Sequence, residues 1–501
     1  MAAKKPPSIK KNFIMNAVLT MSSFIFPLIT FPYVSRVLGP EHYGRVGFAT
    51  SLVSYFAMFS QLGIPTYGIR ACAKVRDDKL ALTRTAHELL VINLVMSLIS
   101  YAALFLALLF VPRLREDRLL YIIVSVTILF KAIGMEWLYK GLERYTYITV
   151  RSILFKVIAF AALFALVHTE EDYVVYGGIS VFAASASGIM NFINARKVIS
   201  MHPVGGYSYR RHFRAVGIFF AMACATTVYT HLDTLMLGFL TTNTDVGYYN
   251  AAVRVKTILV SIVTSLGAVL LPRASYYIEH GEHEAFHRIT KKAMNFIALA
   301  AIPLSWYFML FAPEGIGFLS GSDYAGAILP MQIIMPTLFL IGMTNIMGIQ
   351  ILVPLGREKV VLGSEVAGAV TDCVLNFLLI PRYHAAGAAI GTLVAELVVL
   401  IWQYAALRNE LRGAVRSIRF LEIGIATVLG TAGSVWLKFV LKAEGTWSCF
   451  LILALSAILY FGIYLLFLTL RGEPLLIEIE KSAIRKTPLK KRLENAEKKA
   501  H

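Results

Sequence analysis

Fourteen long apolar runs, separated by short polar segments, dominate the chain. A helix rises about 1.5 Å per residue, so roughly 20 apolar residues cross the hydrocarbon of a bilayer. Most runs have about this length, and each predicts a membrane-spanning helix. The run 326–354 is longer and contains Pro330, Pro336 and Pro354, so we expect it to be kinked or irregular. The predicted spans are 13–35, 46–66, 87–111, 119–138, 149–167, 173–194, 215–240, 248–271, 294–312, 326–354, 360–380, 385–406, 420–437 and 449–469.

The Lys and Arg residues between the runs predict the orientation. With the N-terminus placed in the cytoplasm, 36 of them fall in segments on that side and 8 on the other. Cytoplasmic loops carry an excess of these residues, so we expect a multi-pass protein of the cell (plasma) membrane with both termini cytoplasmic. The first run follows a basic start but is longer than the core of a signal peptide, so we expect an uncleaved span.

Two similar turns suggest an internal repeat. Arg36–Gly39 is followed by Tyr43 and Gly44, and Leu235–Gly238 is followed by Val246 and Gly247; the first glycines are 199 residues apart. Two six-helix lobes would then enter the membrane from the same side, as in transporters that rock two halves around a central site. Glycine-rich turns also follow many unrelated helices, so the alternative is that the two turns are similar by coincidence. The predicted domains are an N-lobe of helices 1–6 at 1–195, a cytoplasmic linker at 196–214, a C-lobe of helices 7–12 at 215–407, helices 13 and 14 at 408–470, and a basic cytoplasmic tail at 471–501.

Composition agrees with an all-α integral membrane protein. Hydrophobic residues make up 57% and charged residues 16%, against about 25% charged in soluble proteins. The net charge of +18 forms no continuous basic face, so we predict no nucleic-acid partner. The sequence has no GxxxxGK[ST] and no HExxH, and its outer loops are too short for a catalytic domain. We therefore predict a transporter with no catalytic residue, no cofactor and no metal site.

Charged residues inside the predicted spans are the candidate functional groups, because each costs about 2.5–3.5 kcal/mol or more in a bilayer. Some are expected to pair: Asp233 with Arg254 in adjacent spans, and Glu136 with Lys140 one turn apart at the inner rim. This leaves Lys131, Lys156 and either Arg254 or Lys256 as the candidates for cations that bind a substrate. A cationic, water-filled cavity between the lobes would suit a phosphate or diphosphate. For each residue alone, a structural ion pair is an equal alternative.

Several segments resemble the polysaccharide-lipid flippases, which are the O-antigen and capsule repeat-unit transporters of the multidrug/oligosaccharidyl-lipid/polysaccharide exporter superfamily. The segments are Phe31–Gly44, Gly134–Glu143 with Tyr147–Arg151, and Asp233–Gly238 with Val246–Ala251. The resemblance covers the whole chain and implies a fold of two six-helix lobes plus two C-terminal helices, related to that of the MATE transporters. It implies alternating-access transport of an undecaprenyl-diphosphate-linked oligosaccharide from the inner to the outer leaflet. The candidate residues for binding its diphosphate are Arg36, Lys131, Lys156, Arg254 and Lys256.

The resemblance also implies partners and alternatives. A polysaccharide polymerase and glycosyltransferases would act on the same lipid, and membrane lipid would surround the protein. Entry of H⁺ or Na⁺ could drive transport, with Asp233, Asp372 and Glu396 as candidate carriers of the cation. The alternatives within the superfamily are a lipid II flippase and a cation-coupled drug or metabolite antiporter. An antiporter for cationic drugs would favour an acidic cavity, whereas the N-lobe carries cations.

Overall fold

The computed structural model describes residues 9–442 and 445–477, and every regular element in these ranges is helical. Most of the predicted basic tail at 471–501 therefore lies outside the described residues. The helices are α1 Ile9–Gln61, α2 Ile64–Lys74, α3 Lys79–Phe110, α4 Pro112–Arg115, α5 Arg118–Gly134, α6 Glu136–Gly141, α7 Tyr145–Leu166, α8 Tyr173–Val181, α9 Ser187–Ala195, α10 Arg210–Leu240, α11 Asn243–Glu279, α12 His283–Leu310, α13 Ala312–Ser320, α14 Ile328–Ile334, α15 Thr337–Thr344, α16 Glu358–Ala406, α17 Arg408–Arg416, α18 Phe420–Ser434, α19 Leu437–Val440 and α20 Thr446–Leu470.

Four short elements of other helical types lie among these helices. Two are 3₁₀ turns, Glu170–Asp172 and Ser322–Ala327, and two are π-helical, Phe182–Ala186 and Asn345–Leu352. A π turn widens the helix locally and often occurs at functional sites. The first π turn joins α8 to α9 and thus interrupts the predicted span 173–194.

The described residues include ten helices that are long and apolar enough to cross a membrane, or eleven if one bent pair counts as a span. The bent pair is Ser322–Ile334 with Thr337–Leu352, and the bend is 45°. Pro336 lies at this bend, where its ring removes a backbone donor and disturbs the helix. The predicted irregularity of 326–354 is thereby confirmed, and so is the prediction of a multi-pass helical protein.

Two of the ten helical stretches are much longer than one crossing requires and contain a backbone break. Ile14–Lys74 has 61 residues and is non-helical at Gly39, with φ 64°. A positive φ favours glycine, and Pro40 then opens the next helical segment with its fixed φ. Glu358–Ala406 has 49 residues and breaks at His384, with φ 52°. The His384 Nδ1 atom lies 3.1 Å from the Asp245 carboxylate. Both breaks fall between spans that the sequence predicts as separate.

The glycines of the suspected repeat lie where α1 and α11 meet. A Cβ on Gly44 would lie 1.8 Å from the Asn243 carbonyl oxygen and 2.8 Å from the Gly247 nitrogen. A Cβ on Gly247 would lie 2.0 Å from the Pro40 carbonyl oxygen. The two backbones therefore approach each other more closely than any side chain permits, which explains glycine at both positions of the motif.

Contacts divide the described residues into two compact units. The first unit is drawn from Met1–Arg254, Leu319–Pro330 and Ala369–Gly391. Its core packs Ile64, Leu89, Trp137 and Tyr139 among other buried side chains. The second unit is drawn from Val255–Phe318, Met331–Gly368 and Thr392–His501. One of its clusters packs Tyr307 and Phe311 of the α12 end against Ile452 and Tyr460 of α20. The lobe boundaries inferred from the repeat stay a prediction.

Candidate functional site

The first unit contains a cavity of about 600 Å³, which we call the cationic cavity. Its walls come from α1, α6, α7, α8, the π turn after α8, and α11. The π turn contributes only the small residues Ala183 and Ala184, which leave the interior open. The charged residues in the wall are Glu136, Lys140, Lys156 and Arg254, and the uncharged polar ones with hydroxyl or amide groups are Asn16, Thr20, Ser23, Thr30, Ser152, Tyr176 and Ser180.

Lys156 of α7 is buried, with 9% of its surface exposed. Its Nζ donates hydrogen bonds to the hydroxyls of Ser22 and Ser23 on α1, both at 2.9 Å. Hydroxyl groups satisfy the donors of an ammonium but do not neutralise its charge. Lys156 has no carboxylate within 4 Å among the residues that the structure describes. An anion in the cavity would supply the counter-charge.

Arg254 of α11 lies at another wall of the cationic cavity and is half-buried. Its Nη2 is 3.4 Å from the hydroxyl oxygen of Tyr43, and Tyr176 lines the cavity beside it. The guanidinium has five donors in a planar fork, so one tyrosine uses a small part of its capacity. The other N–H donors of the guanidinium can bind two oxygens of one phosphate group.

Glu136 and Lys140 form an ion pair of 2.8 Å on α6, as the sequence suggested for residues one turn apart. Both side chains are partly exposed, and both line the cationic cavity. They are therefore part of the cavity wall as well as a rim pair. Among the lining residues there are three cations and one carboxylate, so the wall carries two positive charges in excess. A diphosphate esterified at both ends carries one negative charge on each phosphate, which matches this excess.

The other three candidate cations lie elsewhere. Lys131 of α5 lines a smaller cavity that neighbours the first one. Arg36 is exposed next to the break in α1 and donates to the Pro32 carbonyl at 2.7 Å and the Leu319 carbonyl at 3.3 Å. Lys256 belongs to the second unit and is half-buried there. The structure thus brings Lys156 and Arg254 to one cavity, with Lys131 next to it.

A second group of polar side chains in the first unit contains two of the candidate cation carriers. Asp233 of α10 accepts a hydrogen bond from the Tyr249 hydroxyl and another from the Asn376 amide nitrogen at 2.6 Å. Asp372 and Asn376 lie one turn apart on α16, and all three side chains are buried. A Cβ on Gly391 would lie 2.4 Å from Asn376 Oδ1 and 2.9 Å from Asp372 Oδ1, so these two oxygens face the bare backbone of that glycine. We call this group the carboxylate cluster.

The third candidate carrier, Glu396, is 2% exposed and belongs to the second unit. The proposed pairing of Asp233 with Arg254 stays a prediction; the described hydrogen bonds of Asp233 come from Tyr249 and Asn376.

The sequence analysis missed two residues of these sites, the uncharged Asn376 of the carboxylate cluster and the ion-paired Lys140 of the cationic cavity. Asn376 carries no charge and so does not stand out in an apolar run, although it links α16 to Asp233. Lys140 was interpreted as half of a surface pair, although it also lines the cationic cavity. A polar amide four residues after Asp372, in an otherwise apolar run, is the signal that would have identified Asn376.

Comparison with known proteins agrees with this architecture. Residues 9–278, more than half of the 501, match the family described as polysaccharide biosynthesis proteins. A relative from Escherichia coli K12, named "Putative O-antigen transporter", is 26% identical over 410 residues, which are 80% of this chain and 97% of the relative.

Two solved structures share the fold. The lipid II flippase MurJ in an inward closed conformation superposes with a TM-score of 0.69 and 14% identity, over 91% of this chain and 99% of that one. A multidrug resistance MATE transporter of the MOP superfamily, in an inward-facing conformation, gives a TM-score of 0.56 and 15% identity, over 81% of this chain and 99% of that one. The resemblance predicted from the sequence is confirmed: the chain belongs to the polysaccharide biosynthesis protein family, and it is a multi-pass helical membrane protein with the fold of these two transporters.

Proposed function

We propose that this protein is a flippase that moves undecaprenyl-diphosphate-linked oligosaccharide repeat units from the inner to the outer leaflet, for the synthesis of surface polysaccharide. The observation that carries the proposal is the cationic cavity, whose wall has an excess of two positive charges inside a membrane protein. The name of the Escherichia coli relative supports an oligosaccharide cargo and a transporter rather than an enzyme.

The chemistry of the cargo explains why such a cavity is needed. A sugar-diphosphate head group loses its water when it enters hydrocarbon, and burying unpaired charge is very unfavourable. In the cationic cavity, Lys156 and Arg254 would bind the diphosphate. The hydroxyls of Thr20 and Ser23 would replace some of the water that surrounds the head group in solution. The polyprenyl tail would stay in the bilayer, while the two lobes alternate between inward and outward access.

The topology proposed from the sequence fits the helices. The ten long helices and the bent pair give fourteen crossings if the stretches with breaks at Gly39 and His384 count as two each and the 37-residue α11 counts as one. Both termini would be cytoplasmic in the plasma membrane, since the basic segments favour that side. The interior-negative potential would then favour outward movement of an anion by about 2.3 kcal/mol per charge per 100 mV.

The carboxylate cluster provides a candidate site for a coupling cation. Carboxylate and amide oxygens from Asp233, Asp372 and Asn376 are ligands for a hard cation such as Na⁺, and a carboxylate can instead take up H⁺. Glu396 stays a further candidate in the second unit. Entry of the cation would add to the driving force. A polymerase and glycosyltransferases acting on the same lipid are the expected functional partners.

Disruption of the gene in its native host tests the proposal in cells. We expect loss of surface polysaccharide and accumulation of the lipid-linked repeat unit on the cytoplasmic leaflet, both reversed by a plasmid copy. The lipid is extracted and quantified, and its sidedness is measured with an impermeant sugar-modifying enzyme. Unchanged polysaccharide would contradict the proposal. Accumulation of lipid II with cell lysis would instead favour the lipid II flippase.

A further inference from the structure

The second unit contains a cleft of about 410 Å³ between α12 and α20, which we call the apolar cleft. Its walls include Phe296, Leu299 and Leu304 of α12 and Phe461, Leu465 and Leu468 of α20, together with two leucines that follow α20. All of its lining residues are apolar except Tyr464, whose hydroxyl donates to the Leu299 carbonyl at 2.9 Å. The cleft therefore offers an occupant hydrocarbon contacts and no free polar side-chain group.

Contacts on both sides of the apolar cleft fix the two helices that form it. Towards the end of α12, Tyr307 packs against Tyr460 with ring centroids 5.3 Å apart, and the Tyr460 hydroxyl donates to the Pro303 carbonyl at 3.1 Å. Towards the start of α12, the Asn295 amide donates to the Glu473 carboxylate at 2.7 Å. The helices are thus joined along their length without filling the space between them. The cleft is therefore a preorganised site.

The apolar cleft opens sideways to the bilayer and has about the depth of one leaflet. Leu465 in its wall is 46% exposed, and Phe296 and Leu299 are half-buried. From Leu468 to Phe461, α20 rises about 10 Å, against about 15 Å for half of the hydrocarbon of a bilayer. A methylene group occupies about as much space as a water molecule, about 30 Å³, so the cleft holds roughly 14 carbons. Depth and volume are both close to those of one phospholipid acyl chain.

Basic side chains lie at the end of the apolar cleft where α12 begins and α20 ends. Lys292 is exposed and lies one turn before Phe296 on the same face of α12. Arg471 directly follows α20 and is exposed, and its guanidinium carbon lies 5.5 Å from the centre of the Phe467 ring. Stacking on a ring leaves the N–H donors at the edge of a guanidinium available to an anion. The Glu473 carboxylate at this end is 1% exposed and is already bonded within the protein, so it does not take the place of such an anion.

From these observations we infer that the apolar cleft binds one acyl chain of an anionic phospholipid, whose phosphate group is bound by Lys292 and Arg471. In the proposed topology this is a resident lipid of the inner leaflet. Each basic residue near a membrane surface attracts anionic lipid, so the two favour an anionic head group over a zwitterionic one.

The polyprenyl tail of the proposed cargo is a poorer fit to the apolar cleft than a phospholipid chain. The tail is several times longer than the cleft is deep. The cargo must also move to the other leaflet, whereas the cleft and its basic residues belong to one leaflet. None of the residues that line the cleft lines the cationic cavity. The inference therefore concerns a separate lipid and goes beyond the proposed function.

Native mass spectrometry of the purified full-length protein tests the inference. Delipidated protein is titrated with dioleoyl-phosphatidylglycerol or dioleoyl-phosphatidylcholine, which have the same acyl chains and differ in head-group charge. We expect the first phosphatidylglycerol to bind about 25-fold more tightly, a factor of about five for each of two basic residues. Lys292→Gln with Arg471→Gln should remove most of this preference. Lys291→Gln is the matched control and should keep it, because Lys291 is also exposed but lies about 100° around α12 from Lys292.

A second pair of variants tests the hydrocarbon part of the site. Leu465→Trp places a larger side chain in the apolar cleft and should weaken phosphatidylglycerol binding at least about tenfold, because it displaces several buried methylene groups of the lipid. Leu466→Trp is the matched control, since Leu466 is 61% exposed and does not line the cleft. It should leave binding unchanged.

Several results would overturn the inference. These are equal affinities of the wild type for the two phospholipids, a preference that survives in the double variant, and unchanged binding in Leu465→Trp. Displacement of the bound phosphatidylglycerol by an equal concentration of undecaprenyl phosphate would instead assign the apolar cleft to a polyprenyl tail. A dimer that Leu465→Trp dissociates would assign the cleft to a second copy of the chain. Flipping of the cargo is measured separately, so failure of this inference leaves the proposed function untouched.

Discussion

The double variant Lys156→Gln with Arg254→Gln is expected to reduce polysaccharide export at least about tenfold while the protein still folds. Hydrogen bonds to charged groups contribute about 1.5–3 kcal/mol each, so loss of even one at the diphosphate corresponds to about a tenfold change. Export is measured as surface polysaccharide per folded transporter, with the membrane protein level determined in parallel. Lys359→Gln, at an exposed position in the first turn of α16, is the matched control and should export normally.

The contacts of Lys156 make it possible to distinguish a role in substrate binding from a role in stabilising the fold. Its partners are the hydroxyls of Ser22 and Ser23, and a glutamine can still bond to them. Neutralising the lysine therefore leaves no buried carboxylate without a partner, which would otherwise cost about 3–5 kcal/mol of stability. Lys131→Gln should also lower export, while Lys131→Arg and Lys156→Arg should retain much of it because both keep the charge. Loss of folded protein in the neutral variants would indicate that these lysines serve a structural role instead.

Neutralising the carboxylate cluster is expected to uncouple transport from the ion gradient. In Asp233→Asn and Asp372→Asn, a site for H⁺ or Na⁺ loses charge, so transport should no longer respond when either gradient is imposed across vesicles. One elementary charge moving through 100 mV supplies about 2.3 kcal/mol, or roughly a 50-fold change in a steady-state ratio. The expected loss of gradient-driven accumulation is of this size for each coupled cation.

Two further variants complete the comparison. Asp323→Asn, at an exposed position in a 3₁₀ turn, is the control and should keep full gradient dependence. Glu396→Gln tests the candidate in the second unit by the same measurement. Full gradient dependence in Asp233→Asn, Asp372→Asn and Glu396→Gln would remove all three as carriers and leave them as structural hydrogen-bonding residues.

Hydropathy predicted the helices of this protein well because a bilayer imposes one strong requirement, namely about 20 apolar residues per crossing. The breaks at Gly39 and Pro336 were also readable, since glycine and proline have local backbone effects that do not depend on the rest of the fold. By contrast, the contact of Gly44 with Gly247 joins residues far apart in the chain. The motif identified these glycines, but only the structure shows what each of them contacts.

The candidate site was predictable as far as charge was concerned. Lys156 and Arg254 stood out because cations are rare within apolar runs, and both line one cavity. Asn376 carries no charge and so gave no comparable signal. Its significance depends on its burial and on its hydrogen bond to Asp233, which are properties of the folded chain.

Transbilayer movement in reconstituted vesicles tests the central claim most directly. Purified protein is incorporated into vesicles together with a fluorescent undecaprenyl-diphosphate oligosaccharide, and an impermeant quencher reports the fraction of lipid in the outer leaflet over time. We expect the wild type to expose the lipid from the inner leaflet much faster than protein-free vesicles do, and the Lys156→Gln/Arg254→Gln variant to match protein-free vesicles. Equal rates for the wild type and protein-free vesicles, or for the wild type and the double variant, would contradict diphosphate-dependent flipping through the cationic cavity.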